Sequence, residues 1–176
     1  VLHRSLGWCV DHGNVFFTII TGVIMKSIIA IIALLTSTLA AAQHVDLRVG
    51  PNMKSASISS RPVFEAGNMT MNWEGGVQRW KEQNTVGYQL YATPTFRWAL
   101  TKAVFVDAGV GVSVFNKTQF GTKTISTHFQ FADHIGVAYA AKSYAVGIRY
   151  VHASNAGIKR PNPGLDSIQG TLSVGF

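Results

Sequence analysis

The sequence predicts an all-β protein: a transmembrane antiparallel β-barrel of eight strands. Three observations point there. Several segments alternate apolar and polar side chains with a period of two, which is strand periodicity. Charged residues make up only 13% of the 176-residue chain, against 47% hydrophobic residues, whereas a typical soluble domain carries about 25% charged residues. Short and long connections also take turns along the chain, as in barrels with tight turns at one rim and longer loops at the other.

The segment ahead of the barrel has its own pattern. Met25-Lys26 opens an export leader: Lys26 is its basic start, Ile28 to Leu35 its apolar stretch, and Ala40-Ala41-Ala42 its small-residue cleavage site. Cleavage after Ala42 leaves residues 43–176 as the barrel domain, with 25–42 as the signal peptide. Residues 1–24 precede that Met and read as a non-native upstream extension. A single membrane helix from Val15 to Leu35 is the competing reading, and Lys26 interrupts it. The lone Cys, Cys9, falls in the extension, so the barrel domain has neither a disulfide nor a Cys-based metal site. The net charge is +7. Its Lys and Arg are scattered, which argues against nucleic acid as a partner and fits an anionic lipid surface.

Taken in order, the first three strands are the least defined: His44–Gly50, Ala56–Phe64 and Asn68–Trp73 are the candidates. Glu74 to Thr85 reads as a long loop. From Val86 to Leu100 the even positions Val86, Tyr88, Leu90, Ala92, Phe96 and Trp98 are apolar, facing the odd Gln89, Thr93, Thr95 and Arg97. Thr101-Lys102 is a short turn. Ala103 to Phe115 sets Val104, Val106, Ala108, Val110, Val112 and Val114 against Asp107, Gly109, Gly111 and Ser113. A long loop over Asn116–Thr127 leads into a strand near 128–141. After the turn at Lys142-Ser143 comes a strand to Ser154, then a loop over Asn155–Gly164 and a last strand ending on Phe176. Long apolar faces opposed by faces rich in Gly, Ser and Thr are the mark of a barrel with lipid outside and a polar interior. Closure pairs every backbone N–H and C=O between strands, so no edge meets lipid. Trp73, Trp80, Tyr88, Trp98 and Tyr150 are placed to form the interfacial aromatic girdles.

The strand ending at Ser154 carries the chemistry. A spacing of two puts His152 and Ser154 on its outward face, and Asp166 lies on the outward face of the next strand. Serine is a weak nucleophile that needs an adjacent base, and the base needs an orienting group. His152 and Asp166 are of the right types for those roles. By spacing alone, a His-x-Ser at a strand end also describes a solvated loop edge. His128 and His134, six apart on one strand, are separated by about 20 Å, so no metal site is assigned.

His152-Ala153-Ser154-Asn155-Ala156-Gly157, followed by Pro161-Asn162-Pro163-Gly164-Leu165-Asp166-Ser167, resembles the C-terminal signature of the PagL family, the outer-membrane lipid A 3-O-deacylases. Phe131-Ala132-Asp133-His134-Ile135-Gly136 is similar to that family's preceding strand. The resemblance runs from Ala103 to Phe176 and is faint before Tyr88. It implies a serine esterase on the outer wall of a barrel in the bacterial outer membrane, hydrolysing the acyl ester at position 3 of lipid A. Ser154 matches the family's nucleophile and His152 its base. Asp166 stands where the family usually has Glu, one methylene longer. Asn162 matches a position suggested for the oxyanion hole, where an amide donor would meet developing charge. Asn155 and Gly157 match the motif and shape the turn, and Asp133 matches with outward parity that suits a supporting role. Lys159 and Arg160 are candidate contacts for lipid A phosphates. No cofactor is implied. The partners implied are lipopolysaccharide as substrate and the outer membrane, with homodimer formation left open. The alternative function is a non-catalytic small outer-membrane barrel, structural or adhesive.

Overall fold

The computed structural model describes residues 42–175. The expectations for the upstream extension, for the leader up to Ala41 and for Phe176 lie outside the described residues. Eleven strands follow in chain order: β1 (Ala42–Val49), β2 (Met53–Ser60), β3 (Phe64–Ala66), β4 (Met69–Glu82), β5 (Thr85–Ala99), β6 (Val104–Phe115), β7 (Gln119–Phe120), β8 (Lys123–Thr124), β9 (Phe129–Ala140), β10 (Tyr144–Ser154) and β11 (Leu165–Gly175). β7 and β8 form a small hairpin inside the loop that links β6 to β9.

The rest form one antiparallel sheet that closes on itself. β1 pairs with β11 from His44 opposite Gly175 to Val49 opposite Gly170, and β2 pairs with β4 from Met53 opposite Trp80 to Ser59 opposite Glu74. β2 and β3 are two parts of one wall strand, since β3 continues along β4 with Phe64 opposite Met71. The break falls at Arg61-Pro62, where proline has no N–H to give to a ladder. Ser60 covers the gap by accepting the Trp73 N–H on its hydroxyl at 3.0 Å. The Val63 N–H restarts the ladder on the Met71 carbonyl at 2.8 Å. Counted this way, the wall has eight strands, as the alternation predicts.

The expected faces hold along β5, β6, β10 and β11. Leu90, Val110, Val112, Ile148 and Ile168 are exposed on the outside, while Gln89, Thr93, Thr95, Asp107, Arg149 and Gln169 are buried inside. Midway along the barrel the interior is ionic. Arg48 and Arg149 both grip Glu74 at 2.9 Å, and Arg149 reaches Asp107 at 3.0 Å. Tyr91 donates its hydroxyl to Glu74 at 2.6 Å. Toward the rim that carries the two long loops, an apolar plug of Met53, Trp80, Phe115, Phe120, Ile125 and Leu165 takes over.

Two expectations are corrected. Glu74–Thr85 is not a loop: β4 runs to Glu82 and β5 starts at Thr85, joined by a tight turn at Gln83-Asn84. Trp80 belongs to no girdle, because its ring is fully buried in the plug with its indole N–H on Gln89 at 2.7 Å. Trp73, Tyr88 and Tyr150 are exposed on the outer face as expected. The third wall strand, expected over Asn68–Trp73, extends well past Trp73 to Glu82.

Candidate active site

Strand register decides which side chains meet. β10 lies between β9 and β11, with His152 opposite Asp133 on one side and opposite Asp166 on the other. Directly opposed residues on one face of a sheet stand close enough to touch. The imidazole Nδ1 of His152 lies 2.8 Å from Asp166 Oδ1. Facing an ionised carboxylate, which only accepts, that nitrogen must carry the proton. Such a bond fixes the tautomer and leaves Nε2 as the basic atom. Ser154 is two residues further toward the loop rim on the same face, about 7 Å along the strand, opposite Phe131. Asp166 is the imidazole's hydrogen-bond partner among the described residues; the Ser154 hydroxyl is not bonded to the ring.

Asp133 flanks the imidazole from the other strand. Its Oδ1 is occluded from solvent and has no hydrogen-bond partner, so two carboxylates bracket one histidine. On the loop side Gly164 lies against the ring: a Cβ built there would come within 2.7 Å of His152 Cε1.

The loop after Ser154 is fastened by Asn155, which is fully buried. Its side-chain NH2 donates to the carbonyls of Ile125 at 3.1 Å and Lys159 at 2.8 Å. Its Oδ1 accepts the Gly157 N–H at 3.0 Å, an Asx turn that Gly157 fits with φ +82°. Both donors of Asn155 are therefore committed to the loop. Asn162 accepts the Asn155 backbone N–H on Oδ1 at 3.2 Å, which leaves its NH2 end as the uncommitted donor. Arg160 lines a cavity of about 590 Å³ together with Lys123, Thr122 and Asn162. Lys159 is exposed and does not line it.

A second cavity, about 540 Å³, runs over the outer wall away from His152 and Asp133. Its row toward the turn rim is set by register: Phe96, Ala108, Ile135 and Tyr150 are neighbours across β5, β6, β9 and β10. Ala108 is the small member of that row and forms the floor, with Phe96 stacked on Trp98 at 6.1 Å as one wall.

Sequence reasoning therefore places His152, Ser154, Asp166 and Asp133 correctly on one outward face. It missed two participants. Tyr150, read there as a girdle aromatic, donates its hydroxyl to Asp166 Oδ1. Gly164, quoted only as part of a motif, packs on the ring. The signal for Tyr150 was available, since it shares the even parity of His152 and stands two residues away.

A closed wall that is apolar outside and packed with polar groups inside makes this chain a β-barrel of the outer-membrane type, and among the described residues its one histidine–carboxylate pair on the outer face sits where lipid would meet it. The family model described as "Lipid A 3-O-deacylase (PagL)" matches residues 47–175. The chain belongs to that family. It is 47% identical over 90 residues to the lipid A deacylase PagL of Bordetella bronchiseptica, covering 51% of each chain. To the lipid A deacylase PagL of Pseudomonas aeruginosa it is 32% identical over 107 residues, covering 57% of this chain and 62% of that one. These alignments thus span between half and two thirds of the relatives' own lengths. The crystal structure of the outer membrane enzyme PagL superposes with a TM-score of 0.64 at 25% identity, covering 76% of this chain and 99% of that one. The outer membrane protein Ail of Yersinia pestis shares the fold, with a TM-score of 0.50 at 9% identity.

Proposed function

We propose that this protein is a lipid A 3-O-deacylase of the outer membrane, with Ser154 as nucleophile, His152 as general base and acid, and Asp166 as the orienting carboxylate. The observation that carries the reading is the 2.8 Å His152–Asp166 contact on the lipid-facing wall, one rung from a serine, in a member of this family. An ionisable pair facing hydrocarbon is costly and calls for a substrate that brings polar groups to that depth. The ester linkages of lipid A lie at that boundary between sugar and acyl chains.

The steps follow from the geometry. The loop rim faces outward, and lipid A approaches the wall from the side. Its acyl chain lies over Ala108, between Phe96 and Ile135. Binding closes the gap between Ser154 and His152 Nε2, as catalytic hydrogen bonds often tighten only with substrate present. Ser154 Oγ attacks the ester carbonyl while its proton passes to Nε2, and Asp166 stabilises the imidazolium. The tetrahedral oxyanion takes a hydrogen bond from the NH2 of Asn162. The carbon–oxygen bond to the sugar breaks, and His152 protonates the leaving hydroxyl. Water, deprotonated by His152, then attacks the acyl-serine and releases the fatty acid. Arg160 and Lys123 line the cavity that would take the anionic headgroup. Residues 25–42 direct the chain to export in this reading.

Expressing the protein in a Gram-negative host and weighing lipid A tests it. The expected result is a loss of one acyl chain with the unmodified protein and none with Ser154→Ala. Intact lipid A from both hosts, with the barrel shown to be inserted, would defeat the enzyme reading and leave the non-catalytic barrel.

A further inference from the structure

We propose that Tyr150 is a positioning residue for this triad, holding the carboxylate of Asp166 against His152. The inference rests on the esterase reading and goes beyond it. Tyr150 donates its hydroxyl to Asp166 Oδ1, the same oxygen that the imidazole N–H of His152 meets at 2.8 Å.

Register shows how the three come together. His152 stands directly opposite Asp166, while Tyr150 stands opposite Ile168 and reaches diagonally across the ladder. Diagonal neighbours on a sheet face lie within reach of an aromatic side chain. Toward the turn rim the outward face of β10 presents Ile148 and Val146, exposed and without polar atoms, and then Tyr144 at the rim itself. The phenol of Tyr150 gains nothing from lipid unless its hydroxyl finds a partner, and this one finds the triad acid.

The need for such a partner comes from the position of Asp166 at an exposed site on the outer wall. An aspartate, half exposed on the wall, is free to swing about its χ torsions unless something holds it. Two donors from β10 on a single oxygen fix that oxygen at the ring's edge. Charge-assisted bonds of this kind are the strong ones, and they strengthen where water is scarce. Tyr150 borders the cavity beside Ile135, but its hydroxyl meets Asp166 and not Ser154, so the effect of that hydroxyl passes through Asp166.

The test uses the full-length protein in mixed micelles with lipid A, comparing wild type, Tyr150→Phe, Asp166→Ala and the double variant. Tyr150→Phe is expected to lower kcat about 10- to 100-fold, the range for a lost hydrogen bond to a charged group, with KM little changed. In an Asp166→Ala background, whose own rate is expected to fall, adding Tyr150→Phe is expected to change the residual kcat less than about twofold, because the carboxylate through which it acts is gone. A wild-type kcat in Tyr150→Phe would overturn the proposal. So would an equal loss in both backgrounds, which is the result for a merely structural tyrosine. If the wild type itself releases no fatty acid, the esterase reading has failed, a result distinct from any of these.

Discussion

At Gly164 the backbone is left-handed, with φ +68°, and a side-chain carbon would strike the His152 ring. Gly157 is also left-handed, with φ +82°, yet nothing lies within 4 Å of its missing Cβ. The pair separates two reasons for glycine. An alanine at either site incurs the backbone penalty of roughly 1 kcal/mol, but only at 164 does it displace a working group. Gly164→Ala is therefore expected to cut deacylation at least about 10-fold, and Gly157→Ala to leave it within about threefold. Initial rates on lipid A, with heat-modifiable gel mobility to confirm folding, check both. The turn-shaping role of Gly157 was legible from the motif, but that of Gly164 was not, since a Pro-Asn-Pro-Gly stretch spells a turn without saying which side chain packs over it.

Among the elements, the two long loops act as one support. The β6–β9 loop drops Phe120 and Ile125 into the barrel mouth, with Phe120 edge-on to Phe115 at 5.7 Å, and its Ile125 carbonyl then holds Asn155. Asn155 follows Ser154 directly, so the strand end that carries the proposed nucleophile is anchored through the plug. Asn155→Ala would strand two carbonyls, each costing about 1–3 kcal/mol where buried. The expected outcome is faster proteolytic cutting between residues 156 and 163 and a loss of most activity, with the wall strands still intact. Protease digestion in detergent, read by mass, reports it. Here lies the reason the sequence was readable over β5, β6, β10 and β11 but not over β4. Where a wall strand crosses lipid, apolar-out alternation is strict, and parity alone predicts the faces. Beyond the lipid boundary the rule relaxes and even reverses: Arg79 and Lys81 point outward while Trp80 points in. With Gly75-Gly76 beside them, those residues look like a loop. The active-site parity was legible because His152, Ser154 and Asp166 fall on strands still under the strict rule.

For the molecule as a whole, the ion cluster ties opposite walls together. Arg149 on β10, Asp107 on β6, Glu74 on β4 and Arg48 on β1 form a chain of alternating charge across the barrel. Glu74 takes two arginines and a tyrosine hydroxyl, and Arg149 joins it to Asp107. Removing one member leaves buried charge unpaired, at about 3–5 kcal/mol. Arg149→Met should lower the urea midpoint for unfolding from detergent micelles by a matching amount, and tryptophan fluorescence of Trp80 in the plug follows the transition. The loss belongs to the whole barrel, since four wall strands share the cluster. The same cluster, with the plug above it, also decides where chemistry is conducted. A stoppered cylinder offers a substrate no interior, and every encounter takes place on its flank, within the plane of the leaflet. For the enzyme proposed here, concentration then has the units of surface density: turnover would follow the mole fraction of lipid A around the barrel, and diluting that lipid with inert detergent at constant total amount would slow it.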